Sequence, residues 1–347
     1  MRRSFRVMGF LLVSLLVFWV VFGVIGQTLS EWFQSFLTML FGFVLPEPVM
    51  ENPFFVPLDM IVSGVVPVVI TLLGFLPQII LLFTAIELFS ANETFTKVRT
   101  PLLGFGCTTL AVGAIGESLR KRDAILLSLI PCGAKMPVVA LVAGHFFEFS
   151  FLVIYGLYLG SVGIGFAIFW VVQRLNKPNK PAPSLATQAP QRGIKVIIRN
   201  TLGFLKRLSP PVLVAACIIY FLRSYDFSLN YVENINDGML FALSGFVSPL
   251  FAPIGLGNAV LVTALIIGLL GKEMIIAVLA ILAPALDILT PASALSFLTF
   301  VVLYPVCITA FIAMKNRLGW RLALASAGIN LVAAYAVALI VFNVSVL

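Results

Sequence analysis

Charge is what this sequence has least of. Asp, Glu, Lys and Arg make up 10% of the 347 residues, and hydrophobic residues make up 61%. A soluble domain carries about 25% charged and roughly 45–50% apolar residues, so a soluble enzyme, a disordered chain and a nucleic-acid-binding domain are excluded. Histidine occurs once, at His145, and cysteine four times, at Cys107, Cys132, Cys217 and Cys307. The cysteines show no paired spacing, which argues against a disulfide framework or a zinc knuckle. There is no His-Glu-x-x-His, no nucleophile elbow and no phosphate-cradling Gly-x-x-x-x-Gly-Lys-Ser/Thr. No enzymatic activity and no permanently bound cofactor are expected.

What is present is long apolar runs, with a mean hydropathy of +1.11. Such runs indicate an all-α, polytopic membrane helical bundle embedded in the lipid bilayer, and the alternation of a membrane β-barrel is not seen. The net charge of +8 reads as Lys/Arg-rich cytoplasmic loops under the positive-inside rule, not as a nucleic-acid surface. About eight spans are expected from the number of runs at roughly 20 residues each.

Residues 1–60 read as a first span over Val7–Ile25, its N-terminus cytoplasmic behind Arg2, Arg3 and Arg6, followed by an external segment. That segment carries Glu31, Glu47, Glu51 and Asp59 without Lys or Arg, and its Trp32–Phe43 stretch predicts an interfacial helix. In residues 61–172 the piece Pro101–Ile115 is short, glycine-broken and flanked on both sides by basic residues. It predicts a re-entrant or discontinuous segment, which survives at membrane depth only inside protein or beside water. Ala124–Phe147 predicts a span broken at Pro131 and Pro137, and Phe149–Val172 a return span. Residues 173–207 hold 8 basic and no acidic residues and predict a cytoplasmic linker. Residues 208–347 form the second half.

The halves echo each other weakly. Gly104-Phe-Gly106-Cys107 matches Gly255-Leu-Gly257-Asn258, each followed by an apolar stretch with a glutamate, Glu117 or Glu273; Pro131-Cys132 matches Pro305-Val-Cys307. Paired, Gly/Pro-interrupted segments point to a transporter site. Lys272 and Glu273 lie inside an apolar run, where charge is costly and faces the bundle interior or a water cavity. They are candidates for a cation path, with a structural ion pair as the plainer reading. Cys107 follows glycines that let the backbone approach a ligand, and a thiol there suits a soft or borderline metal such as Fe2+; packing is the alternative. Cys132 and Lys135 are i and i+3, hence on one face if the segment is helical. Cys307 follows Pro305, so its backbone should be irregular. Cys217 reads as core and His145 as a wet loop residue near Glu148, while Glu87 is a pathway candidate.

These segments resemble, in order, the membrane region of the ferrous-iron transporter B (FeoB) family. Leu103-Gly-Phe-Gly-Cys107, Ile130-Pro-Cys-Gly-Ala-Lys-Met-Pro-Val138 and Ala143-Gly-His-Phe-Phe147 are similar to its first Gate region. Phe75-Leu-Pro-Gln-Ile-Ile-Leu-Leu-Phe83 is similar to the span before it. Pro249-Leu-Phe-Ala-Pro-Ile-Gly-Leu-Gly257, Gly271-Lys-Glu273, Tyr304-Pro-Val-Cys307 and Leu318-Gly-Trp320 are similar to its second half. The resemblance implies two Gate-like halves, at 61–172 and 208–347, that move Fe2+ as substrate. It maps Cys107 and Cys307 onto candidate pathway thiols of the family, Cys132 onto a motif cysteine, and Lys272 and Glu273 onto its intramembrane Lys-Glu pair; together with the residue reading, Cys107, Cys307, Cys132 and Glu273 are candidate metal ligands and Lys272, Asn258, Glu87, Gly104 and Gly106 candidate pathway residues. The family's N-terminal GTPase domain is not found here, so a separate cytoplasmic GTPase or small regulatory protein is an implied partner, as is a second copy of the chain. The reading is a divalent-metal permease, Fe2+ favoured, in the plasma membrane. The alternatives are a Gate-type carrier of another solute such as a nucleoside, and a non-transporting accessory protein.

Overall fold

The structure is a computed structural model. It describes residues 26–44, 66–74, 108–115, 127–175, 217–232, 234–272, 274–282 and 286–346, with scattered positions over 77–84 and 198–214. The run Val7–Ile25, Gly104, Gly106, Cys107, Glu87, Glu273 and most of 173–207 lie outside the described residues. The chain divides into two compact units, residues 1–102 with 186–221, and residues 103–185 with 222–347.

The first unit contains α1 (Gly26–Val44) and α2 (Val66–Gly74), which pack on each other. Gln34 of α1 lies against Gly74 of α2. Trp32 stacks on Phe36, and both are exposed along with Leu29 and Leu40. These residues recur at helical spacing and form one apolar face.

The second unit contains α3 (Thr108–Ile115), α4 (Met136–Phe146), α5 (Ser150–Leu175), α6 (Met239–Val247), α7 (Ala259–Ile267), α8 (Met274–Leu282), α9 (Pro291–Leu303), α10 (Ile308–Leu318) and α11 (Trp320–Val346). Its centre is α9, which packs against α4, α5 and α11 and is buried almost end to end from Ser293 to Leu303. The start of α9 is set by its sequence. Thr290 and Ser293 form a reciprocal capping box, and Pro291 occupies a first-turn position where a missing N–H costs nothing. Its end is equally local, because a residue before proline is pushed to extended backbone. Tyr304, just before Pro305, has φ −47° and ψ 144°.

Among the described residues four helical segments are long and apolar enough to cross a membrane: Leu127–Phe146, Ser150–Ile168, Pro291–Leu318 and Trp320–Val346. A fifth arises if Met239–Ile254 and Ala259–Ile267, bent by 103°, form one broken span. The chain is thus an all-α, multi-pass membrane protein with broken helices. The segment Pro291–Leu318 is mostly enclosed by protein, whereas Ser150–Ile168 faces outward along most of its length. The bend falls at residues 255–258, after a 3₁₀ stretch over Ser248–Ile254 that contains Pro249 and Pro253 and is capped by Gly255. Gly255 has φ +74°, and an added Cβ would lie 2.3 Å from the Phe342 ring, so only glycine fits. Asn258 then caps α7, its Oδ1 accepting from Val260 N at 2.8 Å.

One expectation is corrected here. Pro137 does not break the span; it sits in the first turn of α4 and starts that helix. A proline there removes only an N–H that has no intrahelical partner. The break lies upstream, where the chain leaves its helical path at Ile130, Pro131 and Cys132 and resumes as a 3₁₀ turn over Gly133–Lys135.

Candidate functional site

A helix broken by proline frees carbonyls that the missing turn would have satisfied. In an apolar interior such groups must find other partners. Both breaks in the second unit follow this rule, and their solutions build a polar site.

At the first break the chain leaves its helical path after Ser128, at Ile130, Pro131 and Cys132, and a side chain from α11 meets Ser128. Asn330 is fully buried on α11: its Nδ2 donates to Ser128 O at 2.7 Å, and Ser128 Oγ donates to Asn330 Oδ1 at 3.1 Å.

At the second break, Tyr304 to Cys307 separates α9 from α10. Val302 O would have accepted from residue 306; it accepts instead from Lys135 Nζ at 2.7 Å, and the same ammonium donates to Tyr304 O at 3.2 Å. Pro305 O accepts from Lys272 Nζ at 2.7 Å. Lys135 and Lys272 are 4% and 3% exposed, so both amino groups are held inside the protein. The Lys272 ammonium also lies 3.7 Å above the Tyr304 ring, a cation–π contact strengthened by desolvation. Ile308 N, first residue of α10, donates to Leu269 O at 2.9 Å, and the Tyr304 hydroxyl donates to Leu265 O. The ends of α7 and α9 are therefore tied through the same four-residue break.

The thiols converge on this place. Cys132 directly precedes the 3₁₀ turn that ends in Lys135, and Cys307 ends the Tyr304–Cys307 break whose first carbonyl Lys135 holds. The Tyr158 hydroxyl of α5 is buried and has no hydrogen-bond partner among the described residues. Cys307 Sγ and Thr309 Oγ1 share a hydrogen bond at 2.9 Å, and Thr309 Oγ1 meets Thr109 Oγ1 at 3.2 Å. This pair joins the first turns of α3 and α10, which pack on each other. Cys107 and Cys307 each immediately precede one of these helices in sequence.

The candidate residues thus sort into groups. Cys132, Cys307 and Lys272 are brought to one locus; Asn258 serves as a helix cap away from the hydrogen bonds just described. His145 is exposed against Phe146, and Cys217 is half-buried in the other unit. Among the described residues no group of three or more His, Cys, Asp or Glu is placed to hold a metal ion. Sequence reasoning passed over Asn330, Thr309, Thr109, Tyr304 and Tyr158. Asn330 carried a usable signal, as an amide inside the apolar stretch 320–344; the others are common in membrane helices.

A family model described as Gate, nucleoside recognition, matches residues 205–321. This stretch takes in Lys272, the whole Tyr304–Cys307 break and Thr309. The Fe(2+) transporter FeoB of Staphylococcus aureus (strain COL) is 26% identical over 96% of this chain and 56% of its own length. That of Methanocaldococcus jannaschii is 25% identical over 90% of this chain and 53% of its own. This chain is thus similar to the Gate family over residues 205–321 and, at low identity, to the membrane-transporter relatives named FeoB over nearly all of its length. A fusion protein of Porphyromonas gingivalis, Fe(2+) transport protein A/Fe(2+) transporter FeoB, is 24% identical over 99% of this chain and 50% of its own length. The chain spans about half the length of the FeoB relatives it matches. No solved structure matches it. The Gate match covers the second break alone, whereas the FeoB alignments also cover the first, at Pro131–Lys135.

Proposed function

We propose that this chain is a permease for a divalent metal ion, with Fe2+ as the favoured substrate. The observation that carries the reading is the meeting of the two proline breaks, where Lys135 of the first donates to Val302 O and Tyr304 O of the second. Discontinuous helices that meet inside a membrane protein present carbonyls and side chains to a substrate without exposing them to lipid. Here the donors are thiols, carbonyls and a phenol. Thiolate ligands favour Fe2+ over Mg2+, which prefers all-oxygen, near-octahedral coordination. Cys132 and Cys307 are the thiols at the breaks; Cys107 and Glu273 are proposed as further ligands on the sequence pattern alone. A site that must also release its ion needs few ligands, in keeping with two or three thiols and no closed cage. A separate GTPase chain is proposed as the energy source, on the strength of the FeoB likeness.

The nucleoside-recognition description of the matched family supports a second reading, a carrier for a nucleoside. The experiment is uptake by the purified chain in proteoliposomes under reducing conditions, with Fe2+, Mg2+ and a nucleoside offered separately. Saturable Fe2+ entry that exceeds Mg2+ entry supports the permease. Nucleoside entry without metal entry favours the second reading, and no entry of either favours an accessory protein.

A further inference from the structure

We propose that the Lys135 ammonium is a built-in stand-in for the transported cation: it holds the carbonyls at the end of α9 until a divalent ion enters beside Cys132 and Cys307, and then withdraws. The inference rests on the metal-permease reading and goes beyond it by assigning a positioning residue and a competition that sets affinity.

The two buried lysines differ in how they are held. Lys272 is pinned from two sides, by Pro305 O and by the face of the Tyr304 ring. Lys135 has no such ring contact among the described residues. It sits at the end of the 3₁₀ turn Gly133–Lys135, directly after the extended Cys132. A short 3₁₀ piece within a span marks a place where backbone geometry changes readily. The unbranched stem lets the charge move while the break stays in place.

The surroundings of Lys135 form a cation's donor set. Val302 O and Tyr304 O accept its hydrogen bonds, Cys132 directly precedes its 3₁₀ turn, and Cys307 ends the break to which Tyr304 belongs. The buried Tyr158 hydroxyl is a further oxygen, without a hydrogen-bond partner among the described residues. An ammonium satisfies carbonyls through hydrogen bonds and is a poor partner for a thiol. A divalent ion serves both and brings twice the charge, so the exchange is favourable where thiolates are available. While Lys135 occupies the carbonyls the metal-competent state is only partly populated, and apparent affinity falls by that fraction. This competition weakens binding, as release requires, and the returning ammonium displaces the ion.

The test uses the full chain, purified in detergent under reducing conditions, with Co2+ as a spectroscopic probe of thiolate ligation. Lys135→Met keeps the stem and removes the charge. It is expected to bind Co2+ at least about tenfold more tightly than the native chain, because the binding-competent state is no longer shared. Lys135→Arg, which retains a cation, is expected to bind no more tightly than the native chain. Equal affinity in Lys135→Met and the native chain overturns the stand-in while leaving metal binding intact. No Co2+ ligation in either overturns the permease reading as well. A second measurement needs no variant: reductive methylation of lysine amines, read by peptide mass spectrometry with and without Co2+. Modification of Lys135 should rise with Co2+ while that of Lys272 stays low. A Lys135 equally protected in both conditions makes it a fixed staple and overturns the proposal.

Discussion

Lys135 Nζ donates to Val302 O across 2.7 Å, joining residues 167 positions apart. The bond links two helix breaks, each at a proline. The protein meets carbonyls at both with side chains from other elements, so the same groups that repair the breaks furnish a polar locus in an apolar bundle.

Lys272 should act as an anchor. Lys272→Met removes the donor to Pro305 O and the contact with the Tyr304 ring. The expected loss is roughly 2–4 kcal/mol, from a charged hydrogen bond and a desolvated cation–π pair. Thermal unfolding in detergent checks this; an unchanged midpoint would show that the carbonyl is satisfied without the lysine.

Asn330 should matter more than its neighbours on α11. Asn330→Leu removes both hydrogen bonds that Asn330 exchanges with Ser128 in the buried interior, at a cost of about 1–3 kcal/mol. Asn343→Leu is the comparison, because the Asn343 amide is exposed and donates only to Leu339 O within its own helix. A lower unfolding midpoint is expected for the first and little change for the second.

Gly255 tests the bend before α7. Gly255→Ala meets both a left-handed backbone and the Phe342 ring. Gly245→Ala meets open space in a regular helix. The first should lower the unfolding midpoint sharply and the second should raise it or leave it alone. Adding Phe342→Ala to Gly255→Ala should restore only part of the loss, since about 1–2 kcal/mol of backbone cost remains. Full restoration would mean the steric clash was the whole effect.

The basic stretch 173–207 supports a prediction of topology. With 8 basic and no acidic residues it should be cytoplasmic. A cysteine introduced as Ser184→Cys should resist impermeant thiol reagents added outside intact cells and react after the cells are opened. Labelling from outside would reverse the orientation.

Much of the architecture was legible because proline and glycine act locally. Pro131 and Pro305 marked the breaks, and Gly255-Leu-Gly257 with its flanking prolines marked the bend. Lys272 stood out as a charge in an apolar run. Lys135 was noticed only for its spacing from Cys132, because its partners are backbone carbonyls, which leave no trace in a sequence. The role of Pro137 was misread for a related reason: a proline that ends one helix and a proline that begins the next look alike until the break itself is located. Asn258 drew attention through the Gly-Leu-Gly echo, and the structure gives it the ordinary work of an N-cap. The convergence of α3, α4, α9 and α10 depends on tertiary packing, which the weak repeat hinted at without specifying.

The central claim is that the thiols at the two breaks form one metal pathway. Its most direct test is Fe2+ uptake by proteoliposomes holding Cys132→Ser, Cys307→Ser, both together, or Cys217→Ser, with protein incorporation measured in parallel. The two single variants should each transport more slowly than the native chain. The double variant should lose no more than the product of the single losses, because residues of one site are not additive. Cys217→Ser should match the native chain. Native-rate uptake by the folded double variant would contradict the claim and leave both cysteines as packing residues.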